Sequence, residues 1–96
     1  MGKEINDIAK ILADIYFLKF GGKYKGRYSI TRKNLLKMSN KRRMSEKFIN
    51  DLKHTILEMG YAMIEVDETF KIIDLDVMGN YRRVPKNIVN IFDNID

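Results

Sequence analysis

Residues 45–66 read SEKFINDLKHTILEMGYAMIEV, and they combine the signals of a capped helix with those of a strand that follows it. The apolar residues before Gly60 recur every three or four positions, as they do on one face of an amphipathic helix. They are Phe48, Ile49, Leu52, Ile56 and Met59. Ser45 is suited to cap the start of this helix, and Gly60 is suited to end it. We therefore predict a helix from Ser45 to Met59.

A β-hairpin is predicted directly after this helix. Residues 61–67 alternate in polarity, with Ala62, Ile64 and Val66 on one side and Met63 and Glu65 on the other. Residues 67–69 form a short polar turn. Residues 70–77 alternate again, with Ile73, Leu75 and Val77 opposite Asp74 and Asp76.

Three elements are predicted before the long helix. An amphipathic helix runs from Lys3 to Phe20 and ends at the Gly21-Gly22 pair. Residues 28–30 are β-prone and predict a brief strand. Thr31 is suited to cap a second helix, from Arg32 to Met38.

A further helix is predicted after the hairpin, because Pro85 suits the first turn of a helix. Its apolar face is formed by Ile88, Val89, Ile91, Phe92 and Ile95. This helix either folds back onto a small core or lies in an interface with a second copy.

The composition indicates one small α+β domain over residues 1–96, with a core at about 5–77 and a C-terminal helical extension at about 84–95. The chain has no cysteine, which excludes disulfides and cysteine-based catalysis or zinc binding. Its apolar runs are too short to span a membrane, so we expect a cytoplasmic protein with no membrane partner.

The charge is distributed unevenly along the chain. Residues 19–54 contain twelve Lys and Arg and two acids, a balance of +10, whereas the remainder has six bases and eleven acids, a balance of −5. A basic region within an otherwise acidic chain is typical of a protein that binds a polyanion. The alternative is a basic surface that only keeps the protein soluble.

The order helix, strand, helix, helix, hairpin over about residues 5–77 resembles the winged helix-turn-helix family. The resemblance rests on the order of elements and the placement of turns. It implies a winged-helix fold with an added C-terminal helix, in which the third helix enters the major groove of double-stranded DNA. It also implies a small transcriptional regulator or a plasmid or phage accessory factor.

Eleven residues are candidates for DNA contact. Asn can pair with adenine and Lys can reach guanine acceptors from the third helix, while basic residues before it would contact phosphates. The candidates are Lys25, Arg27, Arg32, Lys33, Lys41, Arg42, Arg43, Lys47, Asn50, Lys53 and His54.

The turn of the predicted hairpin is acidic, with Asp67 and Glu68. An acidic wing would repel phosphate. Two alternatives follow: the wing stays off the DNA, or the domain is a protein-interaction module or inhibitor that binds an acidic protein partner.

No enzyme activity, cofactor or metal is expected. His54 is the only histidine. It could in principle act with Asp51 as an acid–base pair, but the strongly favoured interpretation is that both are ordinary exposed residues of the helix. Asp74, Asp76 and Glu65 could bind a divalent ion, but solvated acids on a hairpin are the favoured interpretation.

A homodimer is the last expectation, with the first and last helices forming its interface. Helix-turn-helix proteins commonly dimerise in order to bind two half-sites. The competing interpretation is a monomer whose last helix completes the core.

Overall fold

The structure, a computed structural model, describes residues 3–23, 25–79 and 81–93. Within these ranges the chain forms a small α+β fold with an antiparallel sheet. Its elements are α1 (Ile5–Ile15), β1 (Tyr28–Thr31), α2 (Arg32–Met38), α3 (Glu46–Glu58), β2 (Tyr61–Val66), β3 (Thr69–Asp74), α4 (Leu75–Met78) and α5 (Lys86–Asp93). Among the described residues, no helix combines the length and the apolar character needed to cross a membrane.

The predicted order of helix, strand, helix, helix and hairpin is confirmed as far as β3. The Ser45 hydroxyl oxygen accepts a hydrogen bond from the Phe48 amide at 3.0 Å, so Ser45 caps α3 as predicted. Thr31 caps α2 in the same way, accepting from the Asn34 amide at 3.1 Å. Gly60 follows α3 with φ +97°, in the left-handed region that favours glycine.

The core lies between the helices and one face of the sheet. Helix α1 packs along α3, and α3 also packs against β2. The side chains that are completely buried come from the first three helices and from the sheet. They include Ile8 and Leu12 of α1, Leu35 of α2, Leu52 and Ile56 of α3, and Phe70 and Ile72 of β3.

Helix α1 ends at Ile15, five residues before the predicted end at Phe20. The backbone changes to tighter hydrogen bonds at this point, with the Tyr16 amide donating to Ala13 and the Phe17 amide to Asp14. The Tyr16 carbonyl then accepts from Gly26, which anchors the loop instead of continuing the helix. As a result, Phe17 and Leu18 are exposed, and the predicted end of the helix at Phe20 is wrong.

The sheet has the strand order β1-β3-β2, and both pairings are antiparallel. Met63 of β2 and Tyr28 of β1 both pair with Ile72, so all three lie on the face that contacts the helices. Ile64 and Val66 therefore lie on the opposite face, where they are 43% and 44% exposed. The predicted apolar side of β2 is its outer side.

Strand β3 ends at Asp74, three residues before the predicted end at Val77. The Asp74 carboxylate accepts from the Asp76 amide at 2.8 Å and caps the short helix α4. Leu75 and Val77 therefore belong to a helix and not to a strand. The alternation of polar and apolar residues at 74–77 predicted a strand. The Asp74 side chain instead caps a helix, and this local cap competes with extension of the strand.

Helix α5 is confirmed as a helix, although the described element is Lys86–Asp93 and residues 94–95 lie outside the described ranges. Every residue from 81 to 93 is exposed, so the described extension does not complete the core.

Candidate nucleic-acid interface

The loop of residues 39–45 between α2 and α3 is held by backbone hydrogen bonds to α2. The Ser39 amide donates to Leu35 at 3.0 Å, and the Lys41 amide donates to Leu36 at 2.9 Å. Asn40 between them has φ +55°, a conformation that Asn tolerates better than most residues. The loop therefore has a defined path into the start of α3.

The three cations of this loop have different surroundings. The Lys41 Nζ atom lies 4.6 Å from the centroid of the Phe48 ring, so Lys41 packs over α3. Arg42 and Arg43 are exposed, and within the described part of the chain neither forms an ion pair. Of the three cations in this loop, the two arginines are therefore more available to an external anion than Lys41.

Arg32, at the start of α2, is engaged with the sheet. Its Nη2 atom lies 2.6 Å from Glu65 Oε2, and its guanidinium carbon lies 5.2 Å from the centroid of the Phe70 ring. The guanidinium is thus held by a carboxylate and an aromatic ring at the same time. Arg32 would have to leave Glu65 before it could contact a phosphate.

Glu65 also faces a second cation of the predicted set. The Lys53 Nζ atom lies 3.9 Å from Glu65 Oε1, so the carboxylate is between α2 and α3. The pairing of Glu65 with Phe70 puts it on the inner face of the sheet, beside the N-terminal half of α3. The pairing of Glu65 with these cations could not be predicted from the sequence, because no local periodicity connects residue 65 with residue 32 or 53.

The outward side of α3 carries weaker pairs. Lys47 Nζ lies 3.0 Å from Asp51, and His54 lies 4.0 Å from Glu58, all of them largely exposed side chains. Exposed pairs of this kind contribute little to stability and are readily exchanged for another anion. Asn50 lines the shallow depression between α3 and β2, together with Glu46 and Glu65.

The predicted residues separate into two groups. Lys25 and Arg27 precede Tyr28, which pairs with Ile72, whereas Arg32 follows Thr31 at the other end of β1. The four residues of β1 separate Arg27 from Arg32, so their Cα atoms are about 16 Å apart along an extended chain. Lys25 and Arg27 therefore lie at the opposite end of β1 from Arg32.

The acidic turn of the hairpin is a tight connection of two residues, Asp67 and Glu68, with Asp67 at φ +55°. Strand β1 extends to this turn, because Thr31 pairs with Thr69. The Arg32 amide donates to the Glu68 carbonyl at 2.8 Å. The hairpin therefore does not protrude past β1, and its two acids border the start of α2.

The remaining candidates for chemistry have ordinary surroundings. Asp51 pairs with Lys47, and Asp74 caps α4. The residues described by the structure contain no group of three His, Asp or Glu side chains that could hold a metal ion.

No family model, curated protein or solved structure matches this chain.

Proposed function

We propose that this chain binds double-stranded DNA through the loop 39–45 and the N-terminal half of α3. The observation that carries the proposal is the exposure of Arg42 and Arg43, free of ion pairs with described residues, directly before a helix whose first two turns present Lys47 and Asn50. In this arrangement the arginines contact phosphates and Asn50 reaches a base edge in the major groove.

The charge of this region supports the proposal. Residues 32–54 contain eight Lys and Arg and two acids, and including the neighbouring acids Glu65, Asp67 and Glu68 leaves a balance of +3. Phosphate contacts dominate the affinity of DNA-binding proteins, and a surface with this excess of cations attracts the DNA backbone.

The order of the elements supports a winged-helix interpretation of the fold. The hairpin is short and acidic at its turn, so it stays away from the phosphates, and α3 provides the contact with the groove. A small transcriptional regulator or an accessory factor of a plasmid or phage is the role that fits such a domain. Lys25 and Arg27 lie at the other end of β1 from Arg32 and form a separate group of cations.

A second candidate function is binding to an acidic protein partner. Glu46 and Glu65 beside Asn50 favour it, because these acids are unfavourable in a surface that faces only phosphate. A protein partner could pair with both signs of charge. We rank this function second, because neither Arg42 nor Arg43 forms an ion pair with a residue that the structure describes.

Fluorescence anisotropy with a labelled duplex of random sequence tests DNA binding. The wild-type chain should bind with an affinity that falls steeply as salt increases. Replacing Arg42→Ala and Arg43→Ala together should weaken binding and reduce the slope of log K against log salt by about 1.8, the value for two lost phosphate contacts.

The pair Lys25→Ala and Arg27→Ala is the matched control, since it removes the same charge from the far end of the sheet. Equal losses in both double variants would show a diffuse attraction to charge and contradict the proposed location. Absence of binding at low salt would exclude DNA as the ligand and direct attention to an acidic protein.

A further inference from the structure

Helix α5 has an apolar side that no described residue covers. All residues from 81 to 93 are exposed, and six of them are large apolar residues. They are Tyr81, Val84, Ile88, Val89, Ile91 and Phe92. Water is a poor environment for a surface of this kind, and a soluble monomer rarely exposes so much apolar area in one segment.

The short length of α5 also indicates that the helix is stabilised by a contact with another surface. It has eight residues, and isolated helices shorter than about 12–15 residues are marginal in water. The radius of gyration of the chain is 16.7 Å, compared with about 12.5 Å for a compact domain of this length. A surface from outside the domain is therefore needed to stabilise α5.

The charges of α5 lie at one edge of its apolar side. At 100° per residue, Ile88, Val89 and Phe92 share one side of the helix. Lys86 and Asp93 are seven residues apart, so they flank this side on the same edge, near opposite ends of the helix. Asn87 and Asn90 lie on the polar side.

We propose that a second copy of this chain covers α5, with the two α5 helices antiparallel across a two-fold axis. In this arrangement Lys86 of one copy lies beside Asp93 of the partner subunit, and symmetry repeats the pair. A parallel arrangement would put the charged edges of the two helices on opposite sides of the interface, so neither Lys86 nor Asp93 would have an opposite charge beside it. The apolar sides of both helices then face each other.

The available area is sufficient for a dimer. Tyr81 and Phe92 are 68% and 64% exposed, which corresponds to about 250 Å² of aromatic surface. The four aliphatic residues are between 40% and 69% exposed and add roughly 200 Å². A standard interface buries about 800 Å² per partner, of which about 450–520 Å² is apolar.

The interface differs from the predicted one, because it does not use the apolar stripe of α1. Ile8, Ala9 and Leu12 of that stripe are completely buried inside the domain. The dimer proposal is also independent of DNA binding, since it rests on residues 81–93 alone.

Sedimentation equilibrium of the full chain without DNA tests the dimer. The wild type should show twice the chain mass and dissociate on dilution. Ile88→Asp with Phe92→Asp should give a monomer, while Leu57→Asp, an equally drastic change on the exposed side of α3, should leave the dimer intact. Circular dichroism of each variant checks that the domain remains folded.

Charge reversal tests the orientation of the helices. Lys86→Asp should weaken the dimer about tenfold, because it puts like charges together twice. Adding Asp93→Lys to that variant should restore the wild-type dissociation constant. A wild-type monomer at every concentration, or a dimer insensitive to Ile88→Asp with Phe92→Asp, would overturn the proposal; failure of the second reversal to restore the dimer would overturn the antiparallel arrangement.

Discussion

Glu65 controls how much positive charge the proposed DNA surface presents. It lies 2.6 Å from the guanidinium of Arg32 and 3.9 Å from the ammonium of Lys53. The side chains of Arg32, Lys53 and Glu65 are each about one-third exposed, so water and salt weaken the attraction between them without removing it. A phosphate approaching either cation has to compete with this carboxylate.

Replacing Glu65→Gln should therefore increase DNA affinity by about fivefold at low salt, because it removes a repulsive charge and releases two cations. The measurement is anisotropy with a random duplex. Glu58→Gln is the matched control: it changes the net charge equally, but at the far end of α3 beside His54. An increase of the same size in both variants, or no increase with Glu65→Gln, would contradict this role of Glu65.

Tyr28 connects β1 to α1 inside the core. Its hydroxyl donates to the Leu12 carbonyl at 2.5 Å, and burial raises the pKa of Tyr28 well above 10.0, with a smaller contribution from Tyr61. The fold therefore favours the protonated phenol over the phenolate. This preference links stability to pH.

Because the folded-state pKa is raised, the stabilisation by Tyr28 is fully present below pH 10 and is lost progressively as the pH rises above 10. The free energy of unfolding should fall between about pH 10 and pH 11.5. Urea denaturation of the wild type and of Tyr28→Phe measures this. The variant should start less stable and lose less over the same interval, although the pKa of Tyr61 is also raised. Parallel losses in both proteins would show that Tyr28 is not the group responsible.

At the scale of elements, local signals predicted α3 correctly but not the ends of α1 and β3. Ser45, Gly60 and the spacing of Leu52 and Ile56 act within one helix, so α3 could be located to within one residue at each end. The inner side of β2 could not be predicted, because Met63 and Ile64 are both apolar and only the pairing of Met63 with Ile72 decides between them.

The cap of α3 offers a direct test at this scale. Ser45→Ala removes the acceptor of the Phe48 amide and should lower the free energy of unfolding by about 1 kcal/mol. Thr55→Ala also removes a hydroxyl from this region, but inside α3, where its bond to the Asp51 carbonyl is offset by the better helix propensity of Ala. Urea denaturation should therefore separate the two variants. Equal stabilities would contradict the capping role of Ser45.

At the scale of the whole molecule, the candidate site is a set of cations from separate segments brought to one side of the fold. Arg42, Arg43 and Lys47 could be grouped from sequence, because the loop and the first turn of α3 are adjacent in the chain. The separation of Lys25 and Arg27 from this group depends on the β1–β3 register, and the position of Glu65 depends on the β2–β3 register. Neither register is encoded in a local pattern.

The exposure of α5 can likewise be explained only at the scale of the whole molecule. Its apolar spacing predicted a helix but not what the helix contacts. The domain core already contains the apolar stripes of α1 and α3, so it is complete without α5.

The most direct test of DNA binding through α3 is an amide chemical-shift titration of the full chain with a short duplex. DNA binding through α3 predicts that the largest shifts occur at residues 42–50, with little change at Lys25 and Arg27 or at Ile64 and Lys71 on the outer face of the sheet. Shifts concentrated on the sheet or on α5, or no shifts at low salt, would contradict it.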